Sequence, residues 1–142
     1  MLKTDLMILA NRLTLGSLFV LAGVRKLLPA AEKTVLESWS GFASFVASQA
    51  PLPEFLGKAY GYALPPVELI AGAMLIVGFK ARIAALLIGL MMLSFLIAAS
   101  QGDWWPAKGP AFPPNLILLT LAMWLFVQGP GKLSLDRKKT SG

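Results

Sequence analysis

Four long stretches of apolar residues alternate with short polar segments along the chain. The cleanest stretch, residues 83–100, contains 18 residues and no charged side chain. A helix needs about 20 consecutive apolar residues to cross the hydrocarbon core of a bilayer, and a tilt or a polar end accommodates small differences. The pattern therefore predicts an all-α integral membrane bundle of four transmembrane helices. They form a single domain over residues 1–142, with spans at about 6–28, 55–79, 83–100 and 113–128.

The first apolar stretch has two interpretations. Its uncharged centre, residues 13–24, is too short to span a membrane and reaches full length only with the charged residues at both ends. A cleaved signal peptide is the alternative, because such peptides also have a short apolar centre. However, Asp5 and Arg12 interrupt the segment, and Arg25 and Lys26 lie where a cleavage site would need small residues. We therefore expect a retained helix.

The first loop contains a helical pattern of its own. Val35, Leu36, Trp39 and Phe42 recur at helical spacing and are separated by polar residues. This pattern predicts a short amphipathic helix over residues 35–46 that lies in the membrane interface, with Trp39 at the level of the head groups. A water-exposed helix packed on the bundle is the alternative, and the sequence barely separates the two.

Composition supports a membrane location and excludes several classes of chemistry. Hydrophobic residues make up 56% of the chain and charged residues 14%, against about 25% charged residues in a soluble domain. Lipid is therefore the expected solvent for much of the surface. The chain has neither cysteine nor histidine. It consequently lacks the ligands for iron–sulfur clusters, histidine-bound haem and the usual zinc sites, and we expect no metal.

The net charge of +6 is better explained by topology than by nucleic acid, since no basic stripe with interleaved aromatic residues occurs. With four spans, seven of the 13 Lys and Arg residues lie on the side of the two termini and five on the other side, and Arg12, within the first span, lies nearer the side of the termini. Positive residues concentrate on the cytoplasmic side of membrane proteins. We therefore expect both termini in the cytoplasm.

A few charged residues lie within the predicted spans, where each needs an explanation because a charge in hydrocarbon is costly. Glu68 is the most deeply placed, near the middle of the second span, and Pro65-Pro66 before it predicts a kink near Tyr62. Arg12, Gly16, Gly23 and Lys26 share one face of the first helix. Gly61, Glu68, Gly72 and Phe79 share one face of the second. These two faces are expected to meet, with Glu68 bracketed by Arg12 and Lys26 as structural intramembrane charges.

Polar residues near one end of the bundle form a candidate site. Lys26 and Glu68 would lie close to Asn115, which faces inward on the fourth helix, while Trp104 and Trp105 would close the same end. Such a cluster could bind the carbonyl head group of a quinone, with Lys26 and Asn115 as donors. Alternatively, the cluster could serve only to fix the register of the helices through interhelical polar contacts. Trp104 and Trp105 could likewise be ordinary aromatic residues of the membrane interface.

Three segments in this order resemble the DoxX family. Residues 12–27 carry an arginine, a glycine and then a Gly-x-x-Lys ending, and residues 64–79 embed a glutamate between Pro-Pro and Gly. Residues 129–136 read Gly-Pro-Gly-Lys-Leu-Ser-Leu-Asp, which is similar to the closing Gly-x-Gly-x-x-Ser-x-Asp of that family.

This resemblance implies a small four-helix protein of the bacterial cytoplasmic membrane. Relatives are linked to thiosulfate:quinone oxidoreductase and to membrane-bound redox complexes. Many relatives have a histidine after the third helix, whereas residues 99–102 here read Ala-Ser-Gln-Gly.

The leading expectation is a membrane subunit without a catalytic signature of its own that supports a redox protein partner, either as a non-catalytic subunit or by interacting with quinone. If it takes part in catalysis, we expect it to do so as a subunit of a quinone-linked oxidoreductase. A pure scaffold or anchor is the rival. A small transporter is disfavoured by the chain's size, although a homo-oligomer could build a pathway.

Overall fold

The computed structural model describes residues 2–28, 34–50, 52–99 and 114–136. Within these ranges the chain is all-helical and has no strand. Four of the five helices fall on the segments predicted as spans, and the fifth is the helix predicted in the first loop. The helices are α1 (Leu2–Leu27), α2 (Val35–Gln49), α3 (Glu54–Val77), α4 (Ala81–Ala99) and α5 (Pro114–Gln128).

Glycines allow α1 and α3 to pack backbone against backbone. A Cβ atom added at Gly16 would lie 2.7 Å from the carbonyl oxygen of Gly72, and one added at Gly23 would lie 2.7 Å from that of Pro65. Small residues permit such an approach between membrane helices. As the numbers rise along α1 the contacted numbers fall along α3, so the two helices are antiparallel. The prediction that the glycine-bearing faces of these helices meet is confirmed.

Gly61 belongs to a different contact from the one expected. A Cβ atom at Gly61 would lie 2.6 Å from the Cα atom of Ala43 in α2, and one at Gly57 would lie 2.7 Å from that of Ala47. The helical wheel groups Gly61 with Glu68, but α3 is wide enough to present one side to α1 and a neighbouring side to α2. Helix α2 is therefore packed directly on the bundle.

The two prolines in α3 create a second contact with α2. The helix continues through Pro65 and Pro66 without a break. Proline has no N–H, so Pro66 leaves the carbonyl of Tyr62, one turn earlier, without its usual helical partner. The indole Nε1 of Trp39 donates to this carbonyl at 3.0 Å, and the Trp39 and Tyr62 rings contact edge to face. Trp39 thus anchors α2 on the orphaned carbonyl.

Helices α4 and α5 complete the core with small and medium apolar residues. Ala84, Ala85 and Ile88 of α4 and Ala122 of α5 are fully buried. Many large apolar side chains point outward instead, including Phe55, Ile83 and Val127. Two helices, Lys3–Leu27 and Glu54–Val77, are long and apolar enough to cross a membrane, and the apolar parts of α4 and α5 are shorter. This arrangement is consistent with a helical membrane bundle.

Residues after α5 fold back over the opposite end of the bundle from Lys26. Gly129 and Gly131 adopt φ values of 82° and 72°, in the left-handed region that favours glycine. The chain then places Asp136 beside the start of α4, where its carboxylate accepts from the backbone N–H groups of Lys80 at 2.7 Å and Ala81 at 2.9 Å. Asp136 therefore acts as a cap for the N-terminus of α4.

Candidate functional site

Glu68 forms an ion pair with Lys26 inside the bundle. The Lys26 Nζ atom lies 2.5 Å from both carboxylate oxygens of Glu68. The Glu68 side chain is 1% exposed, whereas that of Lys26 is 23% exposed. Lys26 is therefore the partner that a bound molecule can reach, and Glu68 holds it in position.

The direction of the side chains explains why this pair forms. Side chains in a helix lean toward its N-terminus. Because α1 and α3 are antiparallel, Lys26 leans back toward the level of Gly23 while Glu68 leans toward that of Pro65, and these two levels coincide. The two side chains consequently converge.

Arg12 does not take the place that the sequence predicts for it. It is buried, and it donates from Nε to the carbonyl of Leu75 at 2.9 Å and from Nη2 to that of Ile76 at 3.1 Å. Its Nη1 donates to the carbonyls of Pro130 and Leu133 at 2.9 and 2.8 Å. Arg12 leans away from Glu68, toward the end of α3, so the expected bracketing of Glu68 by Arg12 and Lys26 is wrong. Arg12 instead joins the carbonyls at the C-terminal end of α3 to the segment after α5.

Two aromatic rings lie close to the Lys26 ammonium. Its Nζ atom lies 5.1 Å from the centre of the Phe42 ring and 5.9 Å from that of the Phe95 ring. Cations are attracted to the faces of aromatic rings at such distances. The rings from α2 and α4 therefore add to the stabilisation that Glu68 gives to the Lys26 charge.

A cavity of about 410 Å³ opens beside Lys26 between α2, α3 and α4. Its size falls in the range of small-molecule sites, about 300–1,000 Å³. In the described part of the chain, the residues of this wall are almost all apolar, and the polar side chains among them are Lys26, Tyr60 and Ser94. We call it the α2–α4 cavity, and its lining consists of Lys26, Phe42, Phe45, Val46, Ala50, Leu52, Tyr60, Ser94, Phe95 and Ile97.

Two hydroxyl groups form a chain in the wall of the α2–α4 cavity. Tyr60 of α3 and Ser94 of α4 are joined by a hydrogen bond between their hydroxyl oxygens. The Ser94 hydroxyl also donates to the carbonyl of Met91, one turn earlier in α4, at 2.7 Å. This chain links α3 to α4 beside the position of the Lys26 ammonium.

A second cavity, of about 480 Å³, is lined by both members of the ion pair and by residues of α1, α4 and α5, and we call it the α1–α5 cavity. It brings Lys26, Glu68 and Asn115 to one surface, together with Arg25 and several apolar residues. Lys26 and Phe95 border both cavities. Trp104 and Trp105, the remaining residues of the proposed cluster, lie outside the residues that the structure describes.

Four residues that share the wall of the α2–α4 cavity with Lys26 were not predicted as site residues from the sequence, namely Phe42, Tyr60, Ser94 and Phe95. Tyr60 and Ser94 carry a detectable signal, since a hydroxyl within an apolar span needs a hydrogen-bond partner. The signal from the two phenylalanines is weaker, because aromatic residues are common in such helices. Only the packing of α2 against α3 brings Phe42 to the lysine.

Comparison with known proteins identifies a different family from the one suggested by the motifs. The family model of the methylamine utilisation protein MauE matches residues 4–102, which is more than half of the chain. The assignment to DoxX is therefore wrong. The glycines of these motifs allow close helix packing or adopt positive φ values, and Asp136 caps α4. The motifs therefore reflect how the helices pack and do not identify one family. No curated protein and no solved structure matches the chain.

Proposed function

The chain belongs to the MauE family of membrane proteins, and from this premise we propose that it is a quinone-binding membrane subunit of a methylamine-utilisation system. The observation that carries this proposal is the Lys26 ammonium at the edge of the apolar α2–α4 cavity. A quinone has an apolar ring and tail and two carbonyl acceptors. An apolar cavity with one fixed cationic donor suits this combination.

The proposal includes four transmembrane helices, α1, α3, α4 and α5. At about 1.5 Å per residue, α1, α3 and α4 extend about 39, 36 and 28 Å, close to or above the ~30 Å hydrocarbon core. Helix α5 extends only about 22 Å, and a short span is tolerated by local thinning of the bilayer. Helix α2 would then lie at the interface, held on α3 by Trp39.

The same proposal places both termini in the cytoplasm and the protein in the bacterial inner membrane. The excess of Lys and Arg on the side of the termini supports this orientation. It also places Lys26 and both cavities toward the outer half of the bilayer. Arg12 and the segment after α5 would lie toward the cytoplasmic surface.

A redox partner protein is part of the proposal. The chain has no cysteine or histidine, so it lacks the side chains that hold iron–sulfur clusters and most haems. Electrons carried by a bound quinone would therefore be exchanged with a redox centre on another protein. The role of this chain's residues would be to hold and orient the quinone head group near that partner.

Quinone content of the purified protein tests the proposal. The protein is purified from native membranes in mild detergent, and quinone per protein is measured by extraction and mass spectrometry. The informative variant is Lys26→Met with Glu68→Gln, which removes the cation without leaving a buried charge. Lys58→Met is the matched control, because Lys58 makes an exposed ion pair with Glu54 at 2.6 Å.

We expect quinone in the wild type and in the control, and at least a tenfold loss in the double variant with folding retained. Absence of quinone from the wild type contradicts the proposal, as does full retention of quinone in the double variant.

A scaffold without a ligand is the second candidate function. The observation that favours it is the complete pairing of Glu68 within the chain, with both oxygens on Lys26. Interhelical polar pairs of this kind fix the association of membrane helices without any ligand. A wild-type protein that carries no quinone but still associates with partner chains would support this candidate.

A further inference from the structure

The hydroxyl chain in the α2–α4 cavity has a defined direction. A serine hydroxyl has one proton, and that of Ser94 is directed to the carbonyl of Met91 at 2.7 Å. The assignment of protons that satisfies both hydrogen bonds therefore makes Tyr60 the donor to Ser94. The Tyr60 oxygen keeps its lone pairs but has no further proton to offer. Toward the cavity, Tyr60 is an acceptor.

Lys26 has the opposite character. An ammonium group carries three protons and no acceptor. Two N–H groups are used by the two oxygens of Glu68, which leaves one for a molecule in the cavity. Among the residues that the structure describes, the cavity thus offers a donor on Lys26 and an acceptor on Tyr60.

We propose that Tyr60 makes this cavity selective for the hydroxyl-bearing, reduced form of a quinone. This inference rests on the proposed function. A quinol hydroxyl can donate to the Tyr60 oxygen while another oxygen of the quinol accepts from Lys26. A quinone has only hydrogen-bond acceptors. A quinone carbonyl placed against the Tyr60 oxygen would bring two acceptors together with no proton between them. Each would then be buried without a hydrogen-bond donor, which is unfavourable.

Ser94 sets the selectivity through Tyr60, which makes Ser94 a positioning residue. When Ser94 is replaced by alanine, the Tyr60 proton loses its acceptor and becomes available to a ligand. Tyr60 would then donate to a quinone carbonyl. The two hydroxyls therefore have different expected effects, although they are joined by one hydrogen bond.

The test compares the affinities of a short-chain quinone and its quinol for the purified protein in detergent, the quinol being kept reduced under anaerobic conditions. The wild type is expected to bind the quinol about three- to tenfold more tightly, the effect of one hydrogen bond. Tyr60→Phe should reduce this ratio to near one, mainly by weakening quinol binding. Ser94→Ala should move the ratio toward the quinone. Lys58→Met should leave it unchanged.

The outcomes separate this inference from the function on which it rests. If neither form binds the wild type, the proposed function fails. If both forms bind equally, or the quinone binds more tightly, the inference fails and the proposed function stands. A ratio that Ser94→Ala leaves unchanged also overturns the inference, because the direction of the hydroxyl chain would then be immaterial. Thermal unfolding of each variant shows whether it is folded at the temperature of the measurement.

Discussion

Replacing Lys26 by methionine is expected to destabilise the protein more than replacing Glu68 by glutamine. Lys26→Met leaves the Glu68 carboxylate, only 1% exposed, without the cation that neutralises it. The carboxylate must then either remain as a buried charge or take up a proton, and both cost free energy. In Glu68→Gln the amide oxygen can still accept from Lys26, which is 23% exposed and keeps its contacts with two aromatic rings.

Two reference values bound the size of the effect. Removing one partner of a buried ion pair costs about 3–5 kcal/mol in soluble proteins. Interhelical hydrogen bonds in a membrane average about 0.6 kcal/mol, because inserted but unassembled helices also find polar partners. We therefore expect a loss of about 2–3 kcal/mol for Lys26→Met and about 1 kcal/mol for Glu68→Gln.

The assay is a double-mutant cycle on the free energy of unfolding in detergent or bicelles. The double variant contains neither charge, so its loss should fall short of the summed single losses by about 1 kcal/mol or more. Lys58→Met, in an exposed ion pair, should show no measurable change. Strict additivity of the two single losses would refute the reasoning, and so would a greater loss for Glu68→Gln than for Lys26→Met.

Arg12→Met should lower the free energy of unfolding by about 3 kcal/mol or more, because four carbonyls lose a charged hydrogen-bond donor. An unchanged thermal unfolding curve would show that Arg12 does not stabilise the contact between α3 and the segment after α5. Gly16→Leu should prevent the close approach of α1 and α3, whereas Gly41→Leu should be tolerated, because a Cβ atom at Gly41 meets nothing within 4 Å. Equal yields of folded protein for the two variants would contradict this expectation. Trp39 fluorescence should be quenched by lipids labelled at head-group depth, and equal quenching by a purely aqueous quencher would place α2 outside the interface. Reporter fusions at the C-terminus and within α2 should report opposite compartments, and a shared compartment would overturn the count of four spans.

The fold was largely predictable because its strongest signals are local. The lengths of the apolar stretches predicted where the helices lie along the chain. The spacing of Gly16, Gly23 and Gly72 predicted which helix faces pack together. The face of Lys26 and that of Glu68 were also readable from helical periodicity. The position of Arg12 was not, since a helical wheel gives the angle of a residue and not its depth. The lean of side chains toward the N-terminus decides which cation reaches Glu68.

The α2–α4 cavity was less predictable, because it depends on contacts between distant segments. Phe42 reaches Lys26 only because α2 is packed on α3, through Ala43 and Ala47 against glycines. The donor on Trp39 and the carbonyl freed by Pro66 contribute to the same contact. Phe42 and Phe95 are ordinary residues for their helices, and the hydroxyls of Tyr60 and Ser94 indicate only that each needs a hydrogen-bond partner. Single-helix patterns therefore do not show that these residues enclose one site.

Photolabelling tests most directly whether the α2–α4 cavity binds a quinone. The wild-type protein in native-like membranes is irradiated with a photoreactive quinone analogue, and labelled peptides are mapped by mass spectrometry with and without excess unlabelled quinone. If the α2–α4 cavity binds quinone, we expect labelling within α2 and around Ser94–Ile97 of α4 that unlabelled quinone suppresses. This labelling should be lost when Lys26→Met is combined with Glu68→Gln. Labelling that is spread over the outward-facing residues of α1 and α5 and is unaffected by unlabelled quinone would contradict it.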